Sequence, residues 1–130
     1  MNFDPPTPAT PPEADAELHA KEASFHDAWA ASTHVRDINL PAQFEGLTAI
    51  ESRFVHEALG DLRDRRVLEV GAGLGEASVQ FARHGARVVA TDLSAGMLGF
   101  GRRLAQHHQV ALDTVRTPGE RLPFRDVAER

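Results

Sequence analysis

Apolar positions change their period along this chain. From Glu13 to about Ala31 they follow a helical stripe: Leu18, Phe25 and Trp29 lie seven and four residues apart, with Asp15, Glu17, Lys21 and Asp27 elsewhere. That stripe calls for a partner surface. Val35 to Phe44 reads as a loop containing Pro41. A second helix is expected from near Thr48, whose hydroxyl can cap free amides while Glu51 reaches back in a capping box. Ile50, Phe54, Ala58 and Leu62 then recur every four residues, with Gly60 ending the helix before Leu62. From Val67 the pattern shortens. Val67-Leu68-Glu69-Val70 is a compact apolar run stopped by glycine, and reads as a strand buried on both faces. A loop from Gly71 to Gly75, a short helix from Glu76 to His84 with Gly85 as its left-handed C-cap, and a second strand from Arg87 to Thr91 ending at Asp92 follow. Ser94 caps a helix from Ala95 to His108 that buries Met97, Leu98, Leu104 and Ala105; Gly96, Gly99 and Gly101 weaken it by about 1 kcal/mol each if interior. A third strand spans about Ala111 to Arg116. Strand, helix, strand, helix, strand implies an α/β fold, a Rossmann-like parallel sheet of order 3-2-1 with right-handed crossovers.

Composition narrows the class. The 130 residues suffice for one modest domain and not for two, and a 42% hydrophobic, 25% charged chain of mean hydropathy -0.33 is ordinary for a globule. A net charge of -5 and a pI near 5.8 leave no basic field for phosphate backbones, so nucleic acid is not expected as a partner. The absence of cysteine excludes disulfides and thiolate chemistry and suits a reducing compartment. Five of the eight prolines (Pro5, Pro6, Pro8, Pro11 and Pro12) crowd the first twelve residues, which read as a disordered tail. Neither an export leader nor an apolar run long enough to span a membrane is recognisable, so a cytoplasmic protein is expected. The division expected is therefore a tail over 1–12, N-terminal helices over 13–62 and a Rossmann-like cofactor-binding half-domain over 63–130.

The glycine loop carries the candidate chemistry. A strand, a glycine loop and a helix in succession bring backbone N–H groups and a positive helix terminus to the carboxyl end of the first strand, where open α/β sheets bind ligands. Glycines stand at 71, 73 and 75, while a dinucleotide fingerprint needs a small residue at 76, which is Glu. A carboxylate there repels a pyrophosphate and disfavours a NAD-binding oxidoreductase, the third reading. Asp92, at the end of the second strand, is suited to accept hydrogen bonds from both ribose hydroxyls. Adenosine without pyrophosphate is the inference.

The run Val67-Leu-Glu-Val-Gly-Ala-Gly-Leu-Gly75, with Val88-Val-Ala-Thr-Asp92-Leu-Ser and Glu120-Arg-Leu-Pro-Phe124, resembles the class I S-adenosylmethionine-dependent methyltransferases, particularly those acting on small molecules. The resemblance covers about residues 48 to 124. It implies S-adenosyl-L-methionine as cofactor, with Glu69, Gly71, Ala72, Gly73 and Gly75 at its methionine end, Asp92 on the ribose, Leu93 on the adenine, and Gly119 and Glu120 near the adenine amino group. It also implies that the helix Glu13 to Ala31 is a lid over the cofactor, although an aromatic stripe such as Phe25 and Trp29 is more often core than lid lining. Pro118 stands where the family commonly has an acidic adenine ligand. The family sheet has seven strands, of which three are expected here, and a general base cannot be named from these residues.

Bland readings compete at several positions. Asp92 before Ser94 could be a simple helix-start signal, and Glu69 a structural hydrogen-bonding residue. Seven histidines lack metal-ligand spacing, so no metal site is expected. The leading reading is methyl transfer to a small-molecule acceptor. The rival is a non-catalytic subunit, because strand Val67–Val70 at an open edge invites self-association or a complementary chain.

Overall fold

The computed structural model describes residues 12–120 and 122. The tail expected over 1–12 lies outside these residues except for Pro12. The described residues open with helix α1 (Pro12–Ser32), then a short 3-10 turn at Val35–Asp37 and helix α2 (Leu40–Phe44). The expected loop therefore contains two short helices: Asn39 caps α2 by accepting from the Ala42 N–H at 3.0 Å, and Pro41 sits in the first turn, where its missing N–H costs nothing. Helix α3 (Ile50–Leu59) starts later than expected. Thr48 is not its cap; Ala49 holds that place without a side-chain bond, because Gly46 to Thr48 are spent on a turn closed by Ala49 N–H to the Gly46 carbonyl at 3.0 Å.

The remainder follows the expected alternation: β1 (Arg66–Val70), α4 (Glu76–Arg83), β2 (Arg87–Asp92), α5 (Ala95–His107) and β3 (Asp113–Arg116). The three strands are parallel with β2 in the centre, which is the 3-2-1 order read from its other edge. Val67 pairs with Val88 and Glu69 with Ala90, so these four share the face covered by α4 and α5. On the other face Leu68 and Val70 are 43% and 48% exposed. The expectation that β1 is buried on both faces is corrected: among the described residues no helix covers this side, and β1 pairs only with β2.

The core forms between α5 and its neighbours, where Phe100, Met97, Leu104, Val79 and Leu40 are buried. One loop glycine and one helix glycine have steric reasons. A Cβ on Gly75 would sit 2.9 Å from Gly101 Cα, so the glycine loop and α5 touch backbone to backbone. A Cβ on Gly96 would meet Asp27 of α1 at 2.9 Å. Helix α1 also departs from its forecast. Leu18, Phe25 and Trp29 are all more than half exposed, and Ala23 and Ala30 are buried instead. Small residues pack at this crossing because the helices approach closely at Gly96; the bulky stripe faces outward, so among the described residues Phe25 and Trp29 are not core. On α3, Ile50 and Phe54 are likewise exposed, and Leu62 alone of that series is buried. None of the helices described is long and apolar enough to cross a membrane.

Candidate functional site

Local backbone geometry places the glycine loop at the carboxyl end of β1. The Ala72 N–H bonds the Thr91 carbonyl at 2.8 Å, carrying the β1–β2 ladder into the loop. Gly71, Gly73 and Gly75 have φ of +67°, +59° and +82°, a region costly for residues with a side chain. At Gly71 and Gly73 a Cβ would meet nothing within 4 Å. These two glycines are therefore required by backbone conformation, and the space beside them is open to a ligand.

Asp92 ends β2 opposite this loop. Its Oδ2 accepts from the Gly73 N–H and its Oδ1 from the Ser94 N–H, each at 2.9 Å. The carboxylate is thus locked by two backbone amides while each oxygen keeps a further lone pair for a ligand hydroxyl. Beyond it, Arg116 Nε donates to the Leu93 carbonyl at 2.8 Å, and the Thr117 N–H to the Asp92 carbonyl at 3.1 Å, which ties the segment after β3 to the end of β2.

These pieces enclose a cavity of about 280 Å³ lined by Gly71, Gly73, Asp92, Leu93 and Gly119 of the expected residues. Glu22 and His26 of α1, Val70 and Thr117 complete its wall. The expected Ala72, Gly75, Glu69 and Glu120 do not line it. Gly75 is buried against Gly101, and Glu120 meets His19 of α1 at 3.3 Å. Glu69 points under α4, where its Oε2 and the Ser78 Oγ are buried without hydrogen-bond partners. Burial raises the Glu69 carboxyl above the ordinary range and the neighbouring Glu76 adds to the rise, while the nearby Ser78 hydroxyl opposes it. Glu22 and His26 were missed by sequence reasoning, though their spacing of one helical turn was a usable signal. A larger hollow, about 390 Å³, lies at the far end of α4 among Phe44, Arg53, His56 and His84, away from the glycine loop.

A three-stranded parallel sheet, a glycine loop and an acid at the end of β2 define a Rossmann-like, nucleoside-binding arrangement. Comparison with known proteins agrees with the family resemblance read from the sequence. Residues 67–128, just under half of the chain, match the family model of the methyltransferase domain. The chain is 38% identical over 81 residues to a demethylmenaquinone methyltransferase of Renibacterium salmoninarum, covering 62% of this chain and 32% of that protein. It is 33% identical over 86 residues to the ubiquinone/menaquinone biosynthesis C-methyltransferase UbiE of Pectobacterium atrosepticum, covering 62% and 34%. Among solved structures, the YcgJ protein of Bacillus subtilis aligns at a TM-score of 0.52 and 25% identity, over 59% of this chain and 34% of that one. Magnesium protoporphyrin IX methyltransferase of Synechocystis PCC 6803 aligns at 0.54 and 18% identity, over 79% and 51%, a likeness of fold. The chain spans about a third of the length of the two curated relatives.

Proposed function

We propose that the cavity between the glycine loop, Asp92 and α1 binds S-adenosyl-L-methionine, and that the protein transfers its methyl group to a small-molecule acceptor. The observation that carries this reading is Asp92, fixed by the Gly73 and Ser94 amides beside a loop whose glycines leave open space. The residues suit the group. The Asp92 carboxylate, with lone pairs to spare, matches a vicinal diol. Glu76, first residue of α4, stands where a pyrophosphate would lie and opposes a dinucleotide. When bound, the cofactor supplies a methyl group on a sulfonium leaving group. The chain's part is then to hold the ribose, exclude water and align the acceptor, which is where much of the acceleration of such a transfer arises. Relatives named as demethylmenaquinone and ubiquinone/menaquinone C-methyltransferases support a small organic acceptor. In this reading residues 13–62 supply the cover, residues 63–130 the cofactor-binding half, and the setting is cytoplasmic, supported by the lack of cysteine.

Calorimetric titration with S-adenosylmethionine and S-adenosylhomocysteine tests the reading, with NADH as a control. Saturable binding that Asp92→Ala abolishes supports it. Preferential binding of NADH would restore the oxidoreductase alternative, and no binding of any of the three would overturn the cofactor site.

A second reading rests on β1. Its outer edge pairs with nothing among the described residues, and Leu68 and Val70 beside it are exposed. Such an edge takes up a further strand, from a second copy or a complementary chain, and the protein then acts as an interaction subunit. Size-exclusion chromatography showing a dilute monomer with a cooperative melt would sink this reading.

A further inference from the structure

Helix α1 covers the cavity, yet its hold on the rest of the molecule is unusual for its length. Its large apolar side chains stay in solvent, and its buried face is Ala23, beside Leu93 and Thr117, and Ala30, in the core of α5, with Asp27 between them. Two alanine side chains remove little apolar area from water, so the hydrophobic grip is small. Asp27 supplies a polar one. Its Oδ1 accepts from the Ser94 hydroxyl and, at 2.8 Å, from the Gly96 N–H. Both donors belong to the first turn of α5, where free amides and the helix dipole favour an anion. The Ser94 Oγ meanwhile caps α5 by accepting from the Met97 N–H at 3.0 Å. The contact is built into the backbone, because a Cβ on Gly96 would lie 3.0 Å from Asp27 Cα. The same two hydrogen bonds hold the Asp27 carboxyl below its ordinary range, helped by Arg116 of β3 and by His26.

Ser94 does not line the cavity, but its own N–H donates to Asp92 Oδ1 at 2.9 Å. One residue therefore joins the clamp on α1 to the carboxylate of the cavity. On the other side of the clamp, His26 precedes Asp27 in the chain and lines the cavity together with Glu22. We infer that Asp27 is a positioning residue for the cofactor cavity: clamped on Ser94 and Gly96, it keeps Glu22 and His26 in the wall and steadies the turn that orients Asp92, without touching the ligand. The part of this inference that concerns ligand affinity rests on the function proposed above; the clamp itself does not.

Hydrogen exchange of the whole chain, read separately over α1 and α4, tests the clamp, and titration with S-adenosylhomocysteine tests its effect. Asp27→Ala is expected to speed exchange in α1 while α4 stays protected, and to weaken S-adenosylhomocysteine roughly tenfold, the size of one lost charge-assisted hydrogen bond. Asp27→Asn keeps an acceptor oxygen and should restore most of both. Gly96→Ala, which favours helix formation but drives a methyl group into Asp27, should reproduce the Asp27→Ala pattern without deleting any hydrogen-bonding group. Unchanged exchange in α1, or equal acceleration in α1 and α4, would overturn the clamp. Faster α1 exchange with unchanged affinity would overturn the positioning role. Failure of the unsubstituted protein to bind S-adenosylhomocysteine would instead count against the proposed function, with the exchange data still deciding the clamp.

Discussion

Helices α1 and α5 lie against each other and treat their apolar residues in opposite ways. Helix α5 buries Met97, Leu98, Phe100 and Leu104 against the sheet, α4 and the N-terminal segment. Helix α1 exposes Leu18, Phe25 and Trp29 and docks through two alanines, the Asp27 carboxylate and a contact of His19 with Glu120. The difference is in what lies opposite each face. A helix between two strands of one sheet has its partner prescribed by the crossover, so periodicity predicts burial. A helix outside the βαβ unit finds its partner by close fit, and at Gly96 only small residues fit.

The largest break in that comparison should come from Phe100→Ala. Phe100 is fully buried in the α5 core, and its loss should cost about 3–5 kcal/mol of unfolding free energy, read as a lower urea midpoint. An effect below ~1 kcal/mol would mean that α5 is no better packed than α1. Gly75→Ala comes next. The residue combines φ of +82° with the 2.9 Å approach to Gly101, and the substitution should cost roughly 1–3 kcal/mol and displace the loop that faces the cavity. Melting and S-adenosylhomocysteine titration should therefore fall together. Stability lost with affinity intact would detach the loop from the site.

A smaller, pH-dependent effect is expected at Glu69. Its carboxyl is raised by burial, so the folded protein holds that proton to higher pH than the unfolded chain does. The contribution to stability is therefore greatest below the ordinary carboxylate range, declines as pH rises from there through the raised value, and is level above it. Glu69→Gln abolishes that decline. Urea midpoints at about pH 4 and pH 7 should show the variant gaining on the parent at the higher pH. A gain at the lower pH would mean that the carboxylate has an unseen cationic partner.

Legibility from sequence followed the same divide. The order and direction of β1, α4, β2 and α5 could be read because each strand is a short apolar run closed by glycine or aspartate and each helix opens on a turn signal, as Ser94 does for α5. Among the residues lining the cavity, Gly71, Gly73 and Asp92 were legible by position along that unit, whereas Leu93 and Gly119 came from the family resemblance. Asp27 was not. A capping carboxylate is recognised when it precedes its own helix, and this one caps a helix that begins 68 residues later in the chain, so no local pattern marks it. The double burial of β1 failed for a related reason: an apolar run shows that a strand can be covered, and what covers it is a property of other segments.

The smallest effect expected sharpens the comparison most directly. Phe25 is 68% exposed on α1, and its contact with His26 is edge-on at 5.5 Å between ring centroids. If the bulky stripe of α1 contributes nothing to docking, Phe25→Ala should alter unfolding free energy by no more than about 0.5 kcal/mol. A ring so exposed has little area to lose, and alanine has the higher helix propensity, so the two small terms oppose one another. The same substitution should leave α1 exchange rates as they are, in contrast to Asp27→Ala two residues further along. Were Phe25→Ala instead to cost as much as a core residue, the outward stripe would be covered in solution, by a second copy or another chain, and concentration-dependent melting would show which, since only self-association makes Tm rise with the concentration of this chain alone.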